Sequence, residues 1–250
     1  MGVRAVAGFL YGLCVLAGAI LSGLFCGTLG VLPFAVLPRG RRERFAMPAA
    51  VFWAKTVLWI LGVRLTVKGD WPLQNNRGAL VLCNHRSWLD PVVLMATLRV
   101  NGLSKMEIFW LPFIGLYGYL SGAVFFRRTR KEDRARAREE VLQLVRSGSR
   151  LVVFPEGTRQ RGGHPGQRVY LSLAQDAYNH GLPVVPCAIV FSERSLPPDE
   201  PAAWPFAAVT LCVLPAADPK THDSSRAFAN HAWQSVVVAY DQQVALEQAD

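Results

Sequence analysis

Hydrophobic residues fall along this chain in two patterns. From Ala5 to Pro38 they run almost without interruption, with no charged residue between Arg4 and Arg39, whereas beyond residue 62 they come in short blocks separated by polar clusters. About 20 apolar residues carry a helix across a bilayer, so the first run is long enough to do so. A secretory signal would have an apolar core of about 7 to 15 residues followed by a cleavage site. This run is longer and leads instead into the basic cluster Arg39, Arg41, Arg42 and Arg44. A helix buried in a soluble core is the remaining reading of the same composition. Gly8, Gly12, Gly18, Gly23, Gly27 and Gly30, with Pro33 and Pro38, predict a helix that bends, re-enters the membrane or ends near Leu32. The next stretch, Ala46 to Leu61, carries Trp53, Lys55 and Trp59 and predicts an amphipathic helix packed beside the first or lying in the interface.

After residue 62 the blocks alternate in type. Val63–Lys68, Ala79–Cys83, Gly122–Phe126, Leu151–Phe154, Val184–Val190 and Val209–Leu214 are short, β-branched or aromatic, and predict strands. Residues 91–99, 107–119, 131–147, 168–179 and 224–247 predict helices. Strands alternating with helices define an α/β domain. The chain therefore divides into hydrophobic, membrane-anchoring helices over residues 1–62 and an α/β domain over 63–250. Ser195 to Pro205, with its four prolines, predicts a loop.

Charge and cysteine content narrow the partners. The net charge is +9, which suits either nucleic acid or an anionic membrane. No nucleic-acid-binding motif accompanies it, so an anionic lipid surface or substrate is the better account. Arginines just after the apolar run favour the cytoplasmic side, which places the main domain there. Helix 131–147 is dense in Arg and Glu, as a solvated face is. The five cysteines, at 14, 26, 83, 187 and 212, lie in apolar runs without metal-type spacing and read as small buried hydrophobes in a reducing compartment.

Chemistry collects where predicted strands end. Ala79–Cys83 leads into Asn84-His85-Arg86-Ser87-Trp88-Leu89-Asp90, which sets an imidazole and a carboxylate five residues apart. A carboxylate on one ring nitrogen fixes the tautomer, leaving the other nitrogen to take a proton from an attacking hydroxyl. Asp90-Pro91 also fits a helix start, with Asp90 as the cap; a second carboxylate oxygen lets it do both. Leu151–Val153 leads into Phe154-Pro155-Glu156-Gly157-Thr158-Arg159 and Gly162-Gly163, a cluster suited to a phosphate or polyol, or to a tight turn with Glu156 paired to Arg159. Gly122–Phe126 ends in Arg127-Arg128, and Lys105 is a further candidate cation. Metal motifs of the HExxH or CxxC type, the GxSxG elbow and the P-loop do not occur.

These blocks together resemble the glycerolipid acyltransferase family that includes the bacterial 1-acylglycerol-3-phosphate acyltransferases. Asn84-His85 through Asp90 matches that family's NHxxxxD motif and Phe154–Arg159 its FPEGTR block. Gly122–Arg128 and Leu182-Pro183-Val184-Val185-Pro186 resemble its second and fourth blocks, and Lys105, with Pro112 and Gly115 downstream, the segment between the first two. The resemblance covers most of residues 63–190. It implies a mixed sheet flanked by helices behind an N-terminal membrane-associated segment. It also implies a His85 general base oriented by Asp90, acting on the free hydroxyl of a lysophospholipid that attacks an acyl thioester, with acyl-CoA or acyl carrier protein as donor and neither metal nor cofactor. Lys105, Arg128, Glu156, Gly157, Thr158 and Arg159 would bind the acceptor, on the cytoplasmic face of a bacterial inner membrane. The chain departs from the pattern at Arg127-Arg128, often Asp-Arg, and at Gln167-Arg168-Val169, often Lys-x-Gly; both changes bear on acceptor identity. Another lyso-lipid acceptor, such as a lyso-ornithine lipid or lysophosphoglyceride, therefore stays open. So do a lipid or thioester hydrolase and a non-catalytic membrane tether.

Overall fold

A computed structural model describes residues 3–249 except 75–76, 112–113, 161–163, 167, 193–194 and 196–205. Most of the predicted 195–205 loop and the Gly162-Gly163 pair therefore lie outside the described residues. In chain order the elements are α1 (Val3–Gly30), α2 (Arg39–Ile60), β1 (Arg64–Lys68), β2 (Ala79–Cys83), α3 (Asp90–Leu98), β3 (Asn101–Lys105), α4 (Met106–Phe109) and α5 (Ile114–Ser121). They continue with β4 (Val124–Phe126), α6 (Lys131–Arg146), β5 (Arg150–Val153), α7 (Ser172–Asn179), β6 (Val184–Phe191), β7 (Ala208–Val213) and α8 (Ser225–Ala249).

The strands form one seven-stranded sheet in the order β1-β7-β6-β2-β5-β3-β4, parallel except where β7 runs antiparallel to β6. This is the expected mixed sheet flanked by helices. Alternation along β2 explains how both faces are filled, since successive side chains point to opposite sides of a strand. Ala79, Val81 and Cys83 join α2 and α3 in one core, while Leu80 and Leu82 join α6, α7 and α8 in the other. A strand buried on both faces is apolar throughout, and all five residues of β2 are buried.

Three elements differ from the expected ones. Strand β3, Asn-Gly-Leu-Ser-Lys, has little β propensity and forms because β4 and β5 supply a ladder on either side. The helix expected over 107–119 is two, α4 and α5, because the N–H groups of Trp110 and Leu111 reach back only three residues, to Glu107 and Ile108. The helix expected from 168 begins at Ser172, since the Tyr170 N–H is spent on the Pro155 carbonyl.

At the N-terminus, α1 is an unbroken 28-residue helix, and the stretch Ala17–Phe34, which starts in α1 and ends in the short turn beyond it, is long and apolar enough to cross a membrane. Helix α1 ends at Gly30, near Leu32, which is one of the expected outcomes, and four of its glycines face neighbouring helices. They let α2 and α5 approach: Gly18 faces Ile60, Gly23 faces Trp53, Gly30 faces Ala49, and a Cβ on Gly27 would overlap the Tyr117 ring. Small residues serve close helix packing in this way. Helix α2 runs antiparallel to α1 and sends Ala54, Val57, Leu58 and Leu61 into the core that holds α3 and the sheet. The basic cluster is also divided. Arg41 and Arg44 are exposed, but Arg42 and Glu43 are buried, and Arg39 binds Glu43, Glu140 and the Ala123 carbonyl. Burial raises the Glu43 carboxyl above its usual range.

Candidate active site

Strands β2, β5, β3 and β4 are parallel and end at the same edge. That edge collects His85 after β2, Glu156 to Arg159 after β5, Lys105 at the end of β3 and Arg127-Arg128 after β4. Ligands bind at the carboxyl ends of strands in open α/β sheets. With strands about 4.8 Å apart, the ends of β2 and β4 are about 14 Å from each other, the scale of a phospholipid headgroup and its glycerol.

The histidine and aspartate meet. His85 Nδ1 lies 2.7 Å from Asp90 Oδ2, so the ring donates Nδ1–H to the carboxylate and Nε2 is left as the proton acceptor. Asp90 is fully buried, and the same Oδ2 accepts the N–H groups of Arg86 at 2.6 Å and Ser87 at 2.8 Å. Asp90 therefore does not cap α3. One oxygen takes all three bonds, and its donors precede the helix, while Oδ1 has no partner among the described residues. The His85 ring stacks on Phe154 at 4.2 Å between centroids, which holds it flat while its side chain stays 19% exposed.

Main-chain bonds fix where that ring stands. Asn84, immediately before His85 and fully buried, pairs through its carboxamide with both the N–H and the carbonyl of Ile189 on β6, at 2.8 and 2.9 Å. The His85 N–H donates to Glu156 Oε2 at 2.6 Å, and the His85 carbonyl accepts from the Gln160 N–H at 2.8 Å. Glu156 Oε1 takes the Gly166 N–H at 2.7 Å. Glu156, expected to touch substrate, is thus 4% exposed with both oxygens engaged on the main chain, and it ties the loop after β5 to the loop after β2. Gly157 turns that loop at φ +69°, a conformation that favours glycine. Thr158 and Arg159 lie exposed beyond it.

Burial pushes the Glu156 carboxyl up to about 7, against the pull of the two N–H donors. Between the ordinary 4.5 and about 7 the folded protein keeps a proton that the unfolded chain has released, so this group lowers stability as pH rises through that window. In Glu156→Gln the slope of melting temperature over that window is expected to flatten. Glutamine also turns an amide toward one of the two N–H groups, breaking one tie. A tenfold or so loss in kcat with little change in acceptor KM is expected, from one unsatisfied buried group; a raised KM at unchanged kcat would make Glu156 a substrate ligand instead.

Several participants have no role assigned in the sequence blocks. Asn84 stood in the motif without a role, although a carboxamide both donates and accepts and its place at a strand end suits pairing with the next strand. Arg86 is 5% exposed, with Nη1 unpartnered among the described residues, and its charge acts on Tyr240 of α8, where burial raises the phenol and Arg86 opposes it. His164 pairs with Asp241 of α8 at 3.0 Å, so α8 backs the loop that carries Gly166. Nothing in the spacing signals these contacts. Four cysteines are buried as expected, but Cys14 is exposed. Among the described residues no group of three or more His, Cys, Asp and Glu side chains could hold a metal ion.

Residues 64–190 match the family model described as Acyltransferase. The chain belongs to the acyltransferase family. The matched segment carries the His85–Asp90 pair, the Glu156 tie and the edge cations of the acyltransferase domain. Similar curated proteins include a 1-acyl-sn-glycerol-3-phosphate acyltransferase of Borreliella burgdorferi, 28% identical over 44% of this chain and 44% of the relative. A lyso-ornithine lipid O-acyltransferase of Rhodobacter capsulatus is 42% identical over 41% of this chain and 36% of the relative. The human 1-acyl-sn-glycerol-3-phosphate acyltransferase alpha is 33% identical over 52% and 47%. Each alignment spans less than half of the relative. The crystal structure of the 1-acyl-sn-glycerophosphate acyltransferase PlsC of Thermotoga maritima shares the fold, with a TM-score of 0.79 over 96% of this acyltransferase and 97% of that chain, at 22% identity.

Proposed function

We propose that this acyltransferase is membrane-bound and moves a fatty acyl group from an acyl thioester to the sn-2 hydroxyl of 1-acylglycerol-3-phosphate, giving phosphatidate. The observation that carries the proposal is the 2.7 Å His85–Asp90 contact at a strand edge lined with cations. The acceptor hydroxyl attacks the thioester carbonyl as His85 Nε2 takes its proton, forming the C–O bond. The tetrahedral intermediate then expels the thiolate, the C–S bond breaks, and the imidazolium returns the proton to sulfur. The developing imidazolium faces the Asp90 carboxylate. The donor is acyl-CoA or acyl carrier protein, which share the reacting thioester. Lys105 and Arg128, with Arg159, would hold the acceptor phosphate, and the apolar α1 would keep the site at the inner membrane's cytoplasmic face.

The lyso-ornithine lipid relative, 42% identical over 104 residues, supports a second reading in which the acceptor carries no phosphate. Incubating the protein with a panel of lyso-lipids and both donors, with mass analysis of products, separates the two. For lysophosphatidate, Lys105→Ala and Arg128→Ala are each expected to raise acceptor KM about tenfold, since a bond to a charged group contributes about 1.5–3 kcal/mol, with kcat little changed. Unchanged KM in both variants, with a phosphate-free acceptor preferred, would favour the second reading. Release of free fatty acid without acceptor acylation would identify a hydrolase.

A further inference from the structure

Helix α6 opens against its own stability. Residues 127–138 carry seven basic and two acidic side chains, and among the described residues only Arg138 of the seven forms an ion pair, with Asp176 of α7. A helix N-terminus favours acids and disfavours cations. Here the N-cap is Arg130, which makes no side-chain cap, and Lys131 follows it, while the first-turn acids Glu132 and Asp133 pair with none of the seven. Arg130, Arg134 and Arg138 are spaced by four residues, and like charges at that spacing destabilise a helix. Cations placed in this way serve something other than the fold.

The stripe has a direction. It passes from exposed Arg130 and Arg134 through Arg138 to Val141 and Val145, which are buried against the sheet, so its upper end overlooks the strand ends. Arg134 Nη1 also donates to the Arg128 carbonyl just beyond β4. Layering then separates the stripe from the lipid side. Helices α1 and α2 pack on the sheet face that α3 shares, and α6 packs on the other. A lipid acceptor arrives along α1, which leaves the α6 side to a water-soluble donor. Reach agrees with this. The ends of β2 and β4 are about 14 Å apart, and β2 leads into His85. An extended amide chain gains about 3.5 Å for every three bonds, so the roughly 13 bonds from sulfur to phosphorus in a phosphopantetheine arm span about 15 Å.

We propose that Arg130 and Arg134 bind the phosphodiester of the donor's phosphopantetheine arm, a group that acyl-CoA and acyl carrier protein share, and so bring the thioester to His85. The acceptor phosphate is left to Lys105, Arg128 and Arg159. This rests on the lipid-acyltransferase reading, but its first test does not depend on turnover. In calorimetric titration, wild type is expected to bind phosphopantetheine about tenfold more tightly than pantetheine, and Arg130→Gln and Arg134→Gln are each expected to remove most of that difference. Each substitution relieves a like-charge pair, so melting temperatures should match or exceed that of wild type. Arg130→Gln also leaves the Arg134 bond to the Arg128 carbonyl in place. Equal binding of the two compounds by wild type, however weak, overturns the site. The second test is steady-state transfer to whichever lyso-lipid wild type acylates. Either variant is expected to raise KM about tenfold for acyl-CoA, acyl carrier protein and acyl-phosphopantetheine alike, with KM for acyl-pantetheine and for the acceptor unchanged. A rise for acyl-CoA alone would assign the stripe to the nucleotide's phosphates, a rise for the carrier alone to acidic groups on its surface, and a rise in acceptor KM to the lyso-lipid. Each of these overturns the proposal. Wild type that transfers to no acceptor but keeps the tenfold binding difference would overturn the acyltransferase reading and leave the phosphodiester site standing.

Discussion

Replacing His85 by alanine is expected to reduce acyl transfer by about 10³-fold, the middle of the range that a positioned general base contributes. The loss should fall on kcat, because in the proposed mechanism the ring meets the reacting hydroxyl rather than the acceptor's phosphate. Folding should be little affected. The bonds that anchor this residue run through its main chain, from its N–H to Glu156 and from Gln160 to its carbonyl, and neither needs the imidazole. What alanine removes is the stack on Phe154 and the bond to Asp90. Single-turnover acyl transfer with saturating donor and acceptor checks this, with circular dichroism to confirm the fold. Full activity in the variant would sink the proposed mechanism.

Asp90→Asn is expected to cost about 10²-fold in kcat and about 1–3 kcal/mol in stability, with separate causes. Because Oδ2 alone takes the three donors, the asparagine carbonyl oxygen is forced into its place; turned the other way, the amide would face two main-chain N–H groups. The His85 tautomer therefore survives, and the lost rate measures the missing negative charge opposite the imidazolium. The stability loss comes from the amide nitrogen, which inherits the position of Oδ1, buried and without a partner among the described residues. Thermal melting and kcat, measured on the same preparation, separate the two effects. A variant as fast as wild type would mean that Asp90 only shapes the loop.

Where the chain carried local signals, its fold was readable. The apolar blocks at 79–83 and 184–190 became central strands because only buried strands need such continuous hydrophobicity, and His85 fell at a strand end as the boundary at Asn84 implied. Strand β3 was not readable, since its residues are strand-forming only between neighbours that come from distant parts of the chain. The site divides in the same way. The His85–Asp90 pair is local and was visible from spacing, whereas the Glu156 tie spans 71 residues and ends on main-chain N–H groups that every residue type shares. A carboxylate in a polar block reads equally well as a ligand or as a brace, and only the direction in which it points separates them. The glycines of α1 left three outcomes open for a related reason: α1 ends at Gly30, near Leu32, but as signals of bending and of close approach glycines are identical in sequence.

One arrangement ties the lipid phase to the chemistry. Helix α2 contacts α1 on one side and shares a core with α3 on the other, and α3 begins at Asp90. Asp90, whose carboxylate is bonded to the His85 ring, is therefore two helix contacts away from the segment suited to a bilayer. Under the proposed membrane attachment, a bilayer of different thickness would re-tilt α1, and that tilt would have a short mechanical route to the imidazole.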